Sequence, residues 1–335
     1  VSGLSPLQLV GFLLAAVAVV GNDSLQTLGP YLSSNRGRTP IPLQILYLVG
    51  LTAAVLGLGW WIHAGDPAWG RLAAFPLPES FGWVDLLPPV AVLLLTRWGA
   101  PVSTSFLLLT AFAPARLGAL VSRSLVGYGL AFAAALLLYG AVLWLLERPV
   151  LVGEGAGGSP AGQAALPGNG PLWLVLQALA TAWLWSQWLV HDLANIYVYL
   201  PRQLGIGALA LSAAVLALGL GALVISGGGP IQQVVRGKTA SADLRSATLI
   251  DLLFGALLLA LARWSPTPLS TTWVFLGLLA GRECGLALRL RHRGLGELGA
   301  LLGTDLFKAG VGLGLSLTLA LLIQPLKALS VLPLS

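Results

Sequence analysis

Pro101-Val102-Ser103-Thr104-Ser105 in the first half of the chain and Pro268-Leu269-Ser270-Thr271-Thr272 in the second are two versions of one pentapeptide. Proline suits the first turn of a helix, where its missing N–H is not needed. Ser and Thr are natural N-caps, and the amides that follow them have no acceptor within the helix. A helix opened in this way aims N–H donors, hydroxyls and the positive end of its dipole at one spot, which makes an anion site. The repetition continues upstream. Asp85-Leu86-Leu87 stands twelve residues before Arg97-Trp98, and Asp251-Leu252-Leu253 stands twelve residues before Arg263-Trp264. The step from arginine to proline is one residue longer in the second copy. An internal duplication is the economical explanation for this order of Asp, Arg-Trp and Pro-x-Ser-Thr occurring twice in hydrophobic sequence.

The surroundings of the repeat are those of a membrane protein. The 335 residues are 57% hydrophobic and 9% charged, whereas a soluble domain is about 25% charged. With a mean hydropathy of +0.87, a soluble enzyme, a disordered chain and a nucleic-acid binder are excluded. The net charge of +6 comes from short basic clusters between apolar runs, the pattern of cytoplasmic loops. A single cysteine, Cys284, excludes an internal disulfide and a multi-cysteine metal site. Forty-two glycines and twelve tryptophans fit close helix contacts and interfacial anchors.

A hydrocarbon core about 30 Å thick takes roughly 20 apolar residues as helix. Ten runs qualify or come close: near 5–21, 41–62, 84–97, 102–120, 124–146, 171–190, 203–226, 247–263, 269–288 and 299–323. The first has no basic leader and no convincing cleavage site, so it reads as a membrane segment. Between the fifth and sixth lies a Gly/Pro/Ser-rich stretch whose only charge is Glu154, read as an extramembrane linker over 150–170. The expected fold is an all-α integral membrane protein with two repeats of about five segments, 1–149 and 171–335. An odd number of segments per repeat inverts the second copy. Broken or re-entrant helices are expected at the midplane. With the N-terminus outside, the inner loops hold Arg36, Arg38, Arg97, Arg148, Arg236, Lys238, Arg245, Arg282, Arg289, Arg291 and Arg293. The outer side then holds Arg71, Arg116, Arg123, Arg202, Arg263 and Lys327. The excess favours both termini outside.

A charge at the bilayer centre costs about 2.5–3.5 kcal/mol, so intramembrane polar clusters are candidate sites. Asn22-Asp23-Ser24-Leu25-Gln26 follows the first run, where Gly21 and Gly29-Pro30 are expected to interrupt the helix. His191-Asp192-Leu193-Ala194-Asn195 ends the sixth run and is closed by Pro201. The carboxylates of Asp23 and Asp192, with neighbouring amides, offer hard oxygen ligands for sodium or positions for a proton. An anion site beside cation sites is what a symporter requires. Asp85 and Asp251 read as structural, paired with Arg97, Arg263 or a loop cation. Asp305 and Lys308 read as a neutralising pair one helical turn apart, and Arg282–Arg293 as a basic cytoplasmic loop. The chain has no Walker A loop, His-Glu-x-x-His or Gly-x-Ser-x-Gly. It is therefore read as neither an ATP-driven pump nor an enzyme.

These motifs resemble those of the inorganic phosphate transporter (PiT) family of sodium- or proton-coupled phosphate symporters. That family carries a Gly-Ala-Asn-Asp-x-Ala-Asn type motif near the start of each half, matched here by Gly21-Asn22-Asp23-Ser24-Leu25-Gln26 and His191-Asp192-Leu193-Ala194-Asn195. Its later Pro-Val-Ser-Thr-Thr-His type motif is matched by Pro101–Ser105 and Pro268–Thr272, and Val235-Arg236-Gly237-Lys238 looks like a loop of the family. The resemblance implies phosphate bound by Ser103, Thr104, Ser105, Ser270, Thr271 and Thr272 with Asp23 and Asp192. It implies coupling cations, Na+ or H+, at Asn22, Asp23, Gln26, Asp192 and Asn195, and no organic cofactor. The family histidine is replaced by Phe106 and Trp273, its second asparagine by Gln26, and an asparagine by His191. Sulfate or another small oxyanion, and a non-transporting anion receptor, therefore stay open beside phosphate. The expected setting is the lipid bilayer of a bacterial-type inner membrane, crossed many times, without a nucleic-acid partner; a homo-oligomer is compatible with it.

Overall fold

The computed structural model describes residues 4–75, 77, 81–98, 102–146, 170–228, 243–264, 268–290 and 294–331; these form helices joined by turns and irregular segments, with no strand among them. Pro101, Val235–Lys238 and all of the expected linker except Gly170 lie outside the described residues. Among the described residues, ten α-helices correspond to the ten apolar runs. They are α1 (Pro6–Ser34), α2 (Ile41–Ile62), α3 (Leu87–Arg97), α4 (Thr104–Phe112), α5 (Leu117–Leu138), α6 (Pro171–Tyr197), α7 (Ile206–Ile225), α8 (Leu244–Trp264), α9 (Thr271–Leu290) and α10 (Leu295–Val331). Asp305 and Lys308 fall in α10, but their side chains lie outside the described ones.

Among the described residues, six helical segments are long and apolar enough to cross a membrane: Pro6–Ser24, Ile41–Ile62, Pro114–Leu146, Ile206–Ile225, Leu244–Trp264 and Gly296–Lys327. The other helices fall short for physical reasons. α3 and α4 have only 11 and 9 residues. α6 carries Gln177, His191 and Asp192 on its buried side, and α9 carries Arg282 and Glu283. The polarity is inverted relative to a soluble protein. Leu46, Trp61, Leu218 and Leu321 are 70–76% exposed, while Asn22, Asp85, Asp251 and Asn195 are fully buried. Together these features make the chain an integral, multi-pass membrane protein.

Local sequence sets most of the helix ends. Pro6 opens α1 behind Ser5, whose Oγ accepts from the Gln8 amide at 3.1 Å while Gln8 Oε1 accepts from the Ser5 amide at 2.9 Å. Pro114 ends α4, because the residue before a proline avoids the helical region, and Ala113 sits at φ −146, ψ 75. The fourth and fifth runs thus divide at 113, earlier than their hydropathy suggests.

Two expectations about α1 and α6 are corrected. Gly21 and Gly29-Pro30 do not interrupt α1, which continues to Ser34 with Pro30 inside it. His191-Asp192-Leu193-Ala194-Asn195 likewise lies within α6. Helix breakers are tolerated in such helices because neighbouring groups re-satisfy the backbone. Pro30 still leaves its mark, since its missing N–H releases the Gln26 carbonyl from the helical ladder.

The most extensive helix contacts are those of α5 with α9 and of α6 with α8. Gly277, Gly281 and Gly285, four residues apart, form the contact stripe of α9 on α5. A Cβ on Gly277 would lie 2.3 Å from the Tyr128 carbonyl oxygen, and one on Gly281 would lie 2.1 Å from that of Phe132. Backbones this close need small residues. Gly281→Val is expected to destabilise the protein by about 3 kcal/mol, the upper end for overpacking. Denaturation of the detergent-solubilised protein measures it, and an unchanged midpoint would reject this account of the contact.

Arg282 and Asp251 depart from their sequence reading, whereas Asp85 pairs with Lys327, a cation beyond the last apolar run, as that reading allowed. Arg282 is not in a loop: it is 1% exposed inside α9. Its guanidinium bonds Glu283 at 2.6 Å and lies 5.6 Å from the Tyr139 ring centroid. Pairing and cation–π contact make that burial tolerable. Asp85 and Asp251 do not pair with Arg97 and Arg263, because twelve helical residues span about 18 Å. Asp85 Oδ1 meets Lys327 of α10 at 2.5 Å. Asp251 Oδ2 accepts from Gln177 Nε2 at 2.9 Å and Thr181 Oγ1 at 2.7 Å.

Candidate functional site

The two hydroxyl triplets lie at helix beginnings. Ser103 caps α4, its Oγ accepting from the Phe106 amide at 3.2 Å. Ser270 does the same before α9, accepting from the Trp273 amide at 3.4 Å. Thr104 and Thr271 are therefore the first helical residues, whose amides have no acceptor within the helix. The triplets touch reciprocally. Ser105 Oγ donates to the Leu269 carbonyl at 3.4 Å, and Thr272 Oγ1 donates to the Val102 carbonyl at 3.2 Å. Beside them the Phe106 and Trp273 rings lie 6.1 Å apart between centroids.

α1 and α6 bring the carboxylates to this junction. The Thr104 hydroxyl donates to Asp23 Oδ2. Asn22 Nδ2 donates to Asp23 Oδ1 at 2.6 Å and to the Val102 carbonyl at 2.7 Å. From the other side, Asn195 Nδ2 donates to Asp192 Oδ1 at 2.8 Å and to Thr104 Oγ1 at 3.0 Å. The Thr271 hydroxyl faces the Asp192 carboxyl. Thr104 thus links Asp23 of α1 with Asn195 of α6. The structure brings together Asn22, Asp23, Asp192, Asn195 and both triplets; Gln26 lies one turn along α1 from Asn22, 3% exposed.

The electrostatics of this cluster are unbalanced. Asp23 and Asp192 are each 1% exposed and close enough for their charges to repel. Asn22 Oδ1, Asn195 Oδ1, Asp192 Oδ2 and Ser24 Oγ are buried and form no hydrogen bond. A buried polar atom left unsatisfied costs about 1–3 kcal/mol, so three such amide and hydroxyl oxygens beside two carboxylates, one of which also keeps an unbonded oxygen, make a hard-cation environment. Among the described residues no group of three or more His, Cys, Asp or Glu side chains is assembled. Any cation here would be held by amide, hydroxyl and carboxylate oxygens together.

Two neighbours of the site, Ser124 and Arg71, escaped the sequence reading; His191 did not. Ser124 of α5 accepts from the Ser270 amide at 2.8 Å, occupying one donor of the second triplet. His191, at the position matching Asn22, turns away to α8, with Nε2 3.0 Å from the Leu258 carbonyl. Arg71 belongs to the loop after α2 and is only 7% exposed. Its charge reaches Asp192 and Arg123. That loop is clasped to the end of α6: Leu204 N donates to the Gly65 carbonyl at 2.9 Å and Arg202 Nη2 to that of Phe75 at 2.5 Å. No local pattern around Arg71 marks it as buried, because its burial comes from that clasp.

A polytopic helical membrane protein with polar groups gathered where two helix beginnings meet two carboxylate-bearing helices is the class defined by fold and site. Its fold is that of a solved structure entitled "The sodium-dependent phosphate transporter", with a TM-score of 0.56 over 96% of this chain and 98% of that one. Sequence identity is 13%, so the likeness is one of fold. No protein-family model and no curated relative matches the chain.

Proposed function

We propose that the protein is a secondary symporter of inorganic phosphate coupled to Na+ or H+, with the anion held between the starts of α4 and α9. The observation that carries this reading is the reciprocal contact of the two triplets against Asp23 and Asp192. Phosphate is preferred among oxyanions because the structural neighbour's title names it. In the proposed site, amides of Thr104, Ser105, Thr271 and Thr272 face the anion, with hydroxyls of the triplets, including Ser103 and Ser270, around it. Asn22, Asp23, Gln26, Asp192 and Asn195 supply the coupling cations. Bare carboxylates repel an anion. Cations bound to them cancel that negative charge, so each ligand raises the affinity for the other.

The domain reading is two inverted repeats, 1–149 and 171–335, joined by the linker 150–170. Helix contacts recurring with the halves exchanged support it: α1·α3 with α6·α8, α4·α10 with α9·α5, and α1·α7 with α6·α2. Rocking of the halves about the central site would give alternating access, and a bacterial-type inner membrane is the proposed setting.

Reconstituted vesicles provide the test. Radiolabelled phosphate uptake is expected to require an inward sodium or proton gradient and to resist competition by excess sulfate. Strong competition by sulfate would move the cargo to another oxyanion. Binding without gradient-driven flux would make the protein a receptor.

A further inference from the structure

Another buried carboxylate lies outside the central cluster. Asp251 of α8 and Gln177 and Thr181 of α6 are fully buried, and Thr248 of α8 is 2% exposed. Thr181 and Gln177 precede Asp192 by 11 and 15 residues, which sets them about 16–22 Å from it along α6. Asp251 Oδ2 takes the two donors described above, whereas Oδ1 is buried and forms no hydrogen bond. Thr248 Oγ1 lies 2.9 Å from Gln177 Oε1 and 2.6 Å from the Leu244 carbonyl. Its single proton serves one of them at a time. The group is therefore short of positive charge on its oxygen side. Among the described residues no cation pairs with Asp251; the titratable group on which its charge acts is Tyr47 of α2.

The matching position in the first half shows what such a carboxylate accepts. Asp85 is likewise fully buried, with Oδ2 taking the Gly82 amide at 2.9 Å and Oδ1 meeting the Lys327 ammonium at 2.5 Å. In each half, donors of the protein itself serve one carboxylate oxygen. The other faces a tethered cation in the first half and is left unbonded in the second. We propose that Asp251, Gln177, Thr181 and Thr248 form a further cation site that takes Na+, the exchangeable equivalent of the Lys327 ammonium. This rests on the transport reading above, in which it adds a coupling ion to those at the centre. One monovalent ion balances one carboxylate, whereas a divalent ion would leave net charge in a low dielectric. A proton on Oδ1 would itself be a buried donor without an acceptor. Na+ instead draws on the carboxylate, amide and hydroxyl oxygens together. Because those ligands belong to α6 and α8, the ion braces the helix that carries Asp192 and Asn195 to the centre.

Equilibrium binding of radiolabelled sodium to the detergent-purified full chain tests this, with choline replacing sodium at constant ionic strength and fixed pH. Asp251→Asn should lower the sodium bound at saturation by one ion per protein, and Asp23→Asn should leave that ion in place. Thr248→Val keeps the packing volume and should weaken the same ion about tenfold. Should Asp251→Asn fail to fold, Thr248→Val and Thr181→Val carry the test. Wild-type sodium binding in Asp251→Asn, or in both threonine variants, would overturn the site, and sodium-driven phosphate uptake by the same wild type would leave the transport reading standing. An Asp251-dependent ion in a protein that neither moves nor binds phosphate or sulfate would support the site and overturn the transport reading.

Discussion

Asp23→Asn is expected to cut cation-driven phosphate uptake about a hundredfold and to remove its dependence on the sodium or proton gradient. Asp23 accepts from Thr104 and from Asn22 at a position 1% exposed. Asparagine has the same shape but removes the charge, and one arm of its amide brings a donor to face donors already present. Losing one partner from a buried, hydrogen-bonded charge cluster costs about 2–5 kcal/mol, and about 2.8 kcal/mol is a factor of a hundred. The loss of charge also removes the charge compensation on which coupling depends, so counterflow exchange should suffer less than net uptake. Parallel fluxes of labelled phosphate and sodium measure both effects. Gradient-dependent uptake near the wild-type rate would remove Asp23 from the coupling machinery.

The legibility of this site in the sequence has a physical pattern. Ser103–Ser105 and Ser270–Thr272 were readable because N-capping is local chemistry written within four residues, and because the motif occurs twice. The long helices were readable because lipid demands long apolar runs, whereas the short α4 was not separable from α5 by hydropathy alone. What stayed hidden depends on partners distant in sequence. Arg282 resembled a loop residue until Glu283 and Tyr139 were seen to neutralise it. Gly29-Pro30 resembled a break until α1 proved continuous through it. Asp251 gave no hint that Gln177 and Thr181, 74 and 70 residues away, would replace an arginine. Arg71 became visible only through the loop clasped by Arg202 and Leu204. Periodicity and capping report a residue's own helix, whereas the identity of its neighbours is a property of packing.

Thr104→Val is expected to reduce phosphate uptake at least about tenfold, and the reason lies in where its hydroxyl sits. Valine keeps the volume and β-branching of threonine, so the loss falls on one O–H group. That group donates to Asp23 and accepts from Asn195, tying α1, α4 and α6 together at the proposed anion position. A hydrogen bond to a charged group contributes about 1.5–3 kcal/mol, and about 1.4 kcal/mol is already tenfold. Thr271→Val should act similarly through Asp192, which the Thr271 hydroxyl faces. Thr110→Val is the control, because Thr110 only bonds back to the Phe106 carbonyl of its own helix, a contact of little consequence there. Combining Thr104→Val with Asp23→Asn should cost much less than the sum of the two, since both remove the same contact. If Thr104→Val and Thr110→Val transport equally well, or if the double variant is additive, the hydroxyls at the helix starts do not bind the anion and the proposed site is wrong.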